Sequence, residues 1–99
     1  MILHYAANSR AVRVAWLLEE LGIRYDVKKY SLGDKEMRLP EYLKINPLGR
    51  VPVLQDKDIV ISESGAIIQY LLTKYAENQF VPKIQHENFS TYLQWFHFA

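Results

Sequence analysis

The sequence contains no cysteine among its 99 residues. This absence excludes disulfides, thiolate metal sites and every Cys-x-x-Cys redox mechanism. Any sulfur chemistry at this protein therefore has to use a thiol that a ligand brings in. The three histidines, His4, His86 and His97, lie far apart and lack the spacing of a metal site. We expect them to be structural or exposed residues, and we expect no bound metal.

The sequence also lacks a large net charge and a long apolar run. A formal net charge of +1 argues against a nucleic-acid or anionic-membrane partner, because either would favour a basic stripe. No apolar stretch approaches the roughly 18 residues that a membrane-spanning helix needs. Residue 1 leads directly into a predicted strand, without a signal or transit peptide. We therefore expect a cytoplasmic location.

The apolar periodicity predicts an alternation of strands and helices. Four side chains have the i, i+3, i+4, i+7 spacing of a helix, namely Val14, Leu17, Leu18 and Leu21. Gly22 is placed to end that helix. The other predicted elements are strands at residues 1–5, 25–30, 52–54 and 59–61, and helices at residues 39–45 and 63–75. The strand at 25–30 alternates only in part, so we expect it near an edge of the sheet.

This order of elements, β-α-β, a connecting helix and then β-β-α, predicts an α/β fold. A β-α-β crossover requires parallel strands and a right-handed connection, whereas the second half forms an antiparallel hairpin closed by a helix. The result is a mixed four-stranded sheet flanked by helices. That is the thioredoxin-like architecture, and we expect it to span residues 1–77.

The segment between the two halves of the predicted fold indicates a binding site. Residues 46–49 have turn chemistry. Pro52 stands at the head of a strand, where a missing N–H is tolerated, and the peptide bond before it is a candidate for the cis isomer. Glu63 and Ser64 then open a helix with free backbone N–H groups. Together with the backbone of Val51, these features indicate a receptor for a small zwitterion, with an anion site near Ser64.

The last part of the chain has a different character. Residues 78–84 have the composition of a linker. The next aromatic and apolar side chains have the spacing of an amphipathic helix, and they are Phe89, Tyr92, Leu93 and Phe96. We interpret residues 85–99 as the first helix of a truncated, all-helical second domain. The alternative is a C-terminal helix that packs on the sheet of its own domain.

Four motifs in this order resemble the amino-terminal domain of cytosolic glutathione transferases. They are Asn8-Ser9-Arg10 with Arg13, LLEEL at 17–21, NPLGRVPVL at 46–54 and ESGAII at 63–68. The match covers essentially the whole chain. The sequences of these motifs are similar to those of the bacterial and fungal branch, which is related to the serine-type classes. The resemblance implies a thioredoxin-like fold and a glutathione transferase that serves detoxification.

Two residues are candidates for activating the thiol of glutathione, as the resemblance implies. Ser9 follows a strand and begins a helix, so its hydroxyl and the nearby N–H groups would favour a thiolate. The alternative role of Ser9 is that of an N-cap. Tyrosine-type relatives use a phenol at the end of the first strand, where Tyr5 lies. The spacing from Ser9 to Arg13 fits the serine type better, so we predict Ser9 as the catalytic residue and Tyr5 as a packed aromatic.

The resemblance also implies which residues bind glutathione. Glu63 and Ser64 resemble the pair that holds the γ-glutamyl end, although a helix N-cap is the alternative role for Ser64. The backbone of Val51 would exchange two hydrogen bonds with the cysteinyl part. Arg50 matches the basic residue that meets the glycyl carboxylate, with a solvated surface arginine as the alternative. The family's second basic ligand residue does not align, and Arg38 and Lys44 are its candidates.

The resemblance implies nucleophilic attack of the glutathione thiolate on a small hydrophobic electrophile. Glutathione is then a co-substrate, no further cofactor is needed, and the full-length protein is a homodimer. A non-catalytic glutathione-transferase-like binding or protein-assembly module is the alternative. The joint presence of Ser9, Val51, Glu63 and Ser64 argues against that alternative, since a scaffold needs none of them.

Overall fold

The computed structural model describes residues 1–77 and 79–98. The elements are β1 (Ile2–Ala6), α1 (Ala11–Glu20), β2 (Asp26–Tyr30), a 3₁₀ helix (Lys35–Arg38), α2 (Pro40–Leu43), β3 (Val53–Asp56), β4 (Ile59–Ser62), α3 (Ser64–Tyr75) and α4 (Phe89–His97). This order confirms the predicted alternation of strands and helices. No helix among the described residues has the length and apolar character of a transmembrane helix.

The four strands form one mixed sheet in the order β2-β1-β3-β4. Strand β1 is parallel to β2, with Ile2 opposite Asp26, and antiparallel to β3, with Leu3 opposite Leu54. Strand β4 pairs antiparallel with β3. Strand β2 lies at an edge and is largely exposed, as its partial alternation predicts. The parallel crossover followed by an antiparallel hairpin confirms the thioredoxin-like arrangement.

Helix α1 ends as the sequence predicts. Gly22 has φ +66°, a conformation that glycine adopts without steric cost. Its N–H donates to the Glu19 carbonyl at 3.0 Å, and the Ile23 N–H donates to the Leu18 carbonyl at 3.1 Å. These two bonds are the Schellman pattern. They turn the chain sharply out of α1 and into β2.

The sheet has a different core on each face, because successive side chains of a strand point to opposite sides. Helices α1 and α3 cover one face with an aliphatic core that includes Leu3, Leu18, Leu54, Ile67 and Leu71. The 3₁₀ helix and α2 cover the other face with a smaller core of Ala6, Tyr30, Met37, Tyr42 and Val53. The candidate site lies where both layers end, at the carboxyl end of β1.

Helix α4 is shorter than the predicted 85–99 and has no buried residue. Phe96 packs against the aliphatic core, whereas Trp95 and Phe98 are 65% and 69% exposed. The predicted linker begins at residue 78 and the predicted helix ends at residue 99, and both of these residues lie outside the described part of the chain. The division into two domains therefore stays a prediction.

Candidate functional site

A cavity of about 320 Å³ lies where the β1–α1 connection, the segment before β3 and the start of α3 meet. Its lining residues are Arg10, Asn46, Leu48, Arg50, Val51, Pro52, Glu63 and Ser64. Arg50, Val51, Glu63 and Ser64, the four residues predicted to bind glutathione, are all in this list, whereas Arg38 and Lys44, the candidates for the second basic ligand, are not. Ser9 and Tyr5 lie outside the lining. Arg10, Asn46 and Leu48 are lining residues to which the sequence analysis gave no ligand role.

The start of α3 has an unusual backbone conformation. Glu63 occupies the N-cap position with φ 72° and ψ 118°, and its side chain makes no capping hydrogen bond. Ser64 is the first helical residue and is 7% exposed. The alternative in which Ser64 caps the helix is therefore wrong, because Glu63 holds that position. The first turn of α3 keeps N–H groups without a side-chain cap beside the Ser64 hydroxyl.

Glu63 holds a conformation that residues with a Cβ rarely adopt. Such strain costs about 1–3 kcal/mol and persists where function requires it. We expect Glu63→Gly to raise the free energy of unfolding of the full-length protein by about 1 kcal/mol, after the entropy of the more flexible unfolded chain is deducted. Urea unfolding measures this change. Glu63→Gln is the control, since it removes the charge and keeps the Cβ, so equal stability of both variants would contradict strain at this position.

The turn before β3 is built around a buried asparagine. Asn46 is 5% exposed. Its Oδ1 accepts the Leu48 N–H at 3.1 Å, and its Nδ2 donates to the Arg50 carbonyl at 2.9 Å. Gly49 closes the turn with φ +62°, and a Cβ there would lie 2.9 Å from the Met37 carbonyl oxygen. The turn is therefore fixed by side chain and backbone together, and it leads the chain into the cavity wall.

Val51 and Pro52 follow directly on this turn. Val51 is half-buried and Pro52 is buried. The Val51–Pro52 peptide bond, for which we expected the cis isomer, is cis. Strand β3 begins at the next residue, so Val51 is the last cavity-lining residue with a backbone N–H before the sheet.

The Ser9 hydroxyl closes the turn between β1 and α1. It donates to the Ala6 carbonyl at 2.6 Å and accepts the Ala11 N–H at 3.1 Å. The Val12 N–H donates to the Ser9 carbonyl at 3.2 Å. Arg10 holds the N-cap position of α1, yet Ser9 supplies the side-chain oxygen that a cap supplies. A hydroxyl has one proton, so Ser9 has to rotate away from Ala6 to donate to a thiolate.

Tyr5, the alternative thiol activator, is half-buried in β1. Its side chain packs against the aliphatic core under α1 and α3. This is the packed-aromatic role that the sequence analysis preferred for it.

His4 is a structural histidine, as expected. It is 3% exposed and lies on the face of the sheet opposite α1. Its Nε2 donates to Gln55 Oε1 at 2.6 Å, because an amide oxygen can only accept. Its Nδ1 therefore accepts the Tyr30 hydroxyl at 2.9 Å. Burial, followed by the nearby Glu36 and Asp34 carboxylates, raises the pKa of Tyr30, so this hydroxyl keeps its proton at neutral pH.

Comparison with known proteins identifies the family to which this fold and this cavity belong. The chain has a thioredoxin-like sheet with a charged cavity at the carboxyl end of β1. The sequence profile described as "Glutathione S-transferase, N-terminal domain" matches residues 1–73. The chain therefore belongs to the glutathione S-transferase family, of which it carries the N-terminal domain.

The curated relatives are longer than this chain. Glutathione S-transferase 3 of Schizosaccharomyces pombe is 34% identical over 100% of the chain and 40% of that protein. Glutathione S-transferase 1 of Dianthus caryophyllus is 44% identical over 80% of the chain and 36% of that protein. The chain thus spans less than half the length of these relatives.

Solved structures include relatives that hold glutathione. A glutathione transferase homologue of Lodderomyces elongisporus with two glutathione molecules per subunit is 28% identical, with a TM-score of 0.84 over 96% of this chain and 47% of that one. A glutathione transferase of Phanerochaete chrysosporium in complex with oxidized glutathione is 37% identical, with a TM-score of 0.80 over 98% of this chain and 46% of that one. Both structures superpose on nearly all of this chain.

Proposed function

We propose that this chain is the glutathione-binding part of a glutathione transferase. The observation that carries the proposal is the charge pattern of the 320 Å³ cavity, which has two arginines, Arg10 and Arg50, and one carboxylate, Glu63. Glutathione carries two carboxylates and one ammonium, so the cavity and the ligand are complementary in charge. Bound glutathione in solved relatives supports the same assignment.

Each part of glutathione has a partner in the proposed complex. The Ser64 hydroxyl and the first N–H groups of α3 bind the γ-glutamyl carboxylate, since a helix amino terminus favours an anion. Glu63 binds the ammonium, and the backbone of Val51 binds the cysteinyl part. Arg50 binds the glycyl carboxylate. Arg38 lies with Arg50 in a second, adjoining cavity, which makes it the stronger of the two candidates for a further basic ligand.

The proposed reaction is attack of the glutathione thiolate on a hydrophobic electrophile. The thiolate is the nucleophile, and a free thiol with a pKa of about 8.5 is mostly protonated at neutral pH. Ser9, as the proposed catalytic residue, favours the thiolate by a hydrogen bond. An apolar groove between α1, α3 and α4 has Val12, Trp16 and Trp95 among its lining residues. This groove supports an apolar second substrate.

We further propose that the full-length protein is a cytoplasmic homodimer of the serine-type branch related to bacterial and fungal enzymes. The place of Ser9 at the start of α1 supports the branch. The dependence on glutathione supports the compartment, because the cytosol maintains a reduced glutathione pool. Exposed Ile59 and Val60 on the edge strand β4 offer apolar surface to a second subunit.

One observation favours a second candidate, a glutathione-binding module without turnover. The Ser9 hydroxyl is engaged by Ala6 and Ala11 and lies outside the cavity lining. A module of this kind would bind glutathione with the same residues and would leave the thiol protonated. Titration of the bound thiol by its ultraviolet absorbance separates the two candidates, because only the enzyme lowers the thiol pKa.

Replacement of Ser64 tests the binding site. We expect Ser64→Ala in the full-length protein to weaken glutathione binding about tenfold or more, because a hydrogen bond to a charged group contributes about 1.5–3 kcal/mol. Isothermal titration calorimetry measures the dissociation constant. Ser62→Ala is the matched control, since Ser62 lies two residues earlier in β4 and outside the cavity lining. Equal affinities of both variants would place the anion site elsewhere.

A further inference from the structure

The carbonyl of Arg50 accepts two hydrogen bonds from buried side chains. The Tyr42 hydroxyl donates to it at 2.5 Å, and Asn46 Nδ2 donates at 2.9 Å. Tyr42 and Asn46 are 3% and 5% exposed. A carbonyl with two buried donors has both of its lone pairs occupied, so its direction is fixed in the folded protein.

Tyr42 is itself held in place from several sides. Its ring lies edge-on to the Tyr30 ring at 5.1 Å and to the His4 ring at 5.7 Å between centroids. The Tyr30 hydroxyl and the His4 ring are hydrogen-bonded to each other. Burial, followed by the neighbouring Tyr30, raises the pKa of Tyr42 to about 12, so Tyr42 remains a donor at neutral pH.

The direction of the Arg50 carbonyl determines the direction of the Val51 N–H. Both belong to one peptide unit, which is planar, and in a trans unit the C=O and N–H point in opposite directions. The Arg50 carbonyl points to the Tyr42 hydroxyl and the Asn46 amide. The Val51 N–H therefore points away from them, and Val51 lines the cavity.

We propose that Tyr42 is a positioning residue for glutathione, with Asn46 as its partner: together they aim the Val51 N–H at the ligand. Neither side chain has to touch the reacting sulfur for this effect. Without the Tyr42 hydroxyl, the Arg50 carbonyl keeps only the bond from Asn46, so the Arg50–Val51 peptide is held less firmly. The inference rests on the proposed function, since it takes glutathione as the ligand of the cavity.

The test is a pair of Tyr→Phe substitutions in the full-length protein. Both Tyr42 and Tyr30 are buried, both hydroxyls are hydrogen-bonded, and Phe preserves both rings. Of these two hydroxyls, that of Tyr42 donates to the Arg50 carbonyl, whereas that of Tyr30 donates to His4. We expect Tyr42→Phe to weaken the binding of reduced glutathione about five- to tenfold and Tyr30→Phe to change it less than twofold. We expect similar losses of thermal stability in both, which a melting curve checks beside the calorimetric titration.

A second variant keeps the test decisive if Tyr42→Phe folds poorly. Asn46→Ser adds no charge to the cavity, keeps a side-chain oxygen as acceptor for the Leu48 N–H and removes the donor to the Arg50 carbonyl. We expect at least a fivefold loss of glutathione affinity. Unchanged affinity in Tyr42→Phe or in Asn46→Ser, or an equal loss in Tyr42→Phe and Tyr30→Phe, would overturn the positioning role alone. Failure of the unmodified protein to bind glutathione would instead overturn the proposed function, and the positioning role with it.

Discussion

Replacing Ser9 by alanine in the full-length protein is expected to slow glutathione conjugation ten- to a hundredfold at neutral pH and to raise the pKa of the bound thiol. The hydroxyl is the proposed donor to the thiolate, and a hydrogen bond to a charged group contributes about 1.5–3 kcal/mol. Each unit of thiol pKa corresponds to about 1.4 kcal/mol. The pKa should therefore rise by about one to two units. The pH–rate profile of conjugation with an aryl halide measures both changes.

The same substitution also removes an interaction of the fold. The Ser9 oxygen accepts the Ala11 N–H, and loss of such a cap costs about 1 kcal/mol. Ser9→Thr is the control, because it keeps the hydroxyl and its bond to the Ala6 carbonyl. Restored activity in Ser9→Thr together with lost activity in Ser9→Ala would assign the effect to the hydroxyl. An unchanged pH–rate profile in Ser9→Ala would move thiol activation to Tyr5 or to backbone donors.

Replacing Asp56 by asparagine is expected to lower the free energy of unfolding by about 3 kcal/mol, within the range for two hydrogen bonds to a charged group. Asp56 ends β3 and is 5% exposed. Its Oδ2 accepts the hydroxyls of Tyr70, at 2.7 Å, and Tyr75. These bonds attach the β3–β4 hairpin to α3. Denaturant unfolding of the full-length protein measures the loss, and Asp58→Asn, in the exposed turn of the same hairpin, should stay within about 0.5 kcal/mol of the parent.

Asp56 also predicts how stability depends on pH. The hydrogen bonds from Tyr75 and Tyr70 lower the pKa of Asp56. A carboxyl with a lowered pKa contributes stability above its unfolded pKa of about 3.9 and loses it as the pH falls through the lower, folded value. Asp56→Asn should reduce the loss of unfolding free energy at acid pH. An unchanged loss would contradict its assignment to Asp56.

At the alkaline end, the bond to Asp56 is the main reason that the pKa of Tyr75 rises to about 12. The Tyr75 contribution is therefore complete below about pH 10 and is lost between about pH 10 and pH 12.

The strands and helices around the sheet can be predicted from the sequence, because each of them is determined by residues of its own segment. The helical spacing of Leu17 and Leu18, the left-handed conformation at Gly22 and the partial alternation of β2 each report the structure of their own segment. The region between β2 and β3 is less predictable. Helix α2 covers Pro40–Leu43 instead of residues 39–45, and the 3₁₀ helix before it depends on the Asp34 side chain, which accepts the Glu36 N–H at 2.9 Å. A single cap of this kind leaves no periodic pattern.

The same difference explains what the sequence shows of the candidate site. Glu63, Ser64 and Val51 lie in motifs that resemble the family, and the cavity contains all three. Tyr42 acts on a carbonyl eight residues away through a side-chain bond, and no spacing rule describes that bond. The turn chemistry of residues 46–49 predicts the turn but not the hydrogen bond from the Asn46 side chain to the Arg50 carbonyl. Arg10 directly follows Ser9, and this adjacency is the sequence signal for its place in the cavity lining.

The unlike cores of the sheet have a consequence for how this domain tolerates sequence change. The face under α1 and α3 is filled by aliphatic side chains, and such a layer accepts compensating exchanges of size and shape as long as its volume is kept. The opposite face contains His4, Tyr30 and Tyr42, whose hydroxyls and ring nitrogens each need a specific partner. Substitutions in the aliphatic layer would mainly alter the melting temperature. In the second layer, a substitution at Tyr42 would reach the backbone beside the cavity, so that selection for the proposed ligand would also preserve a side chain that the ligand does not contact.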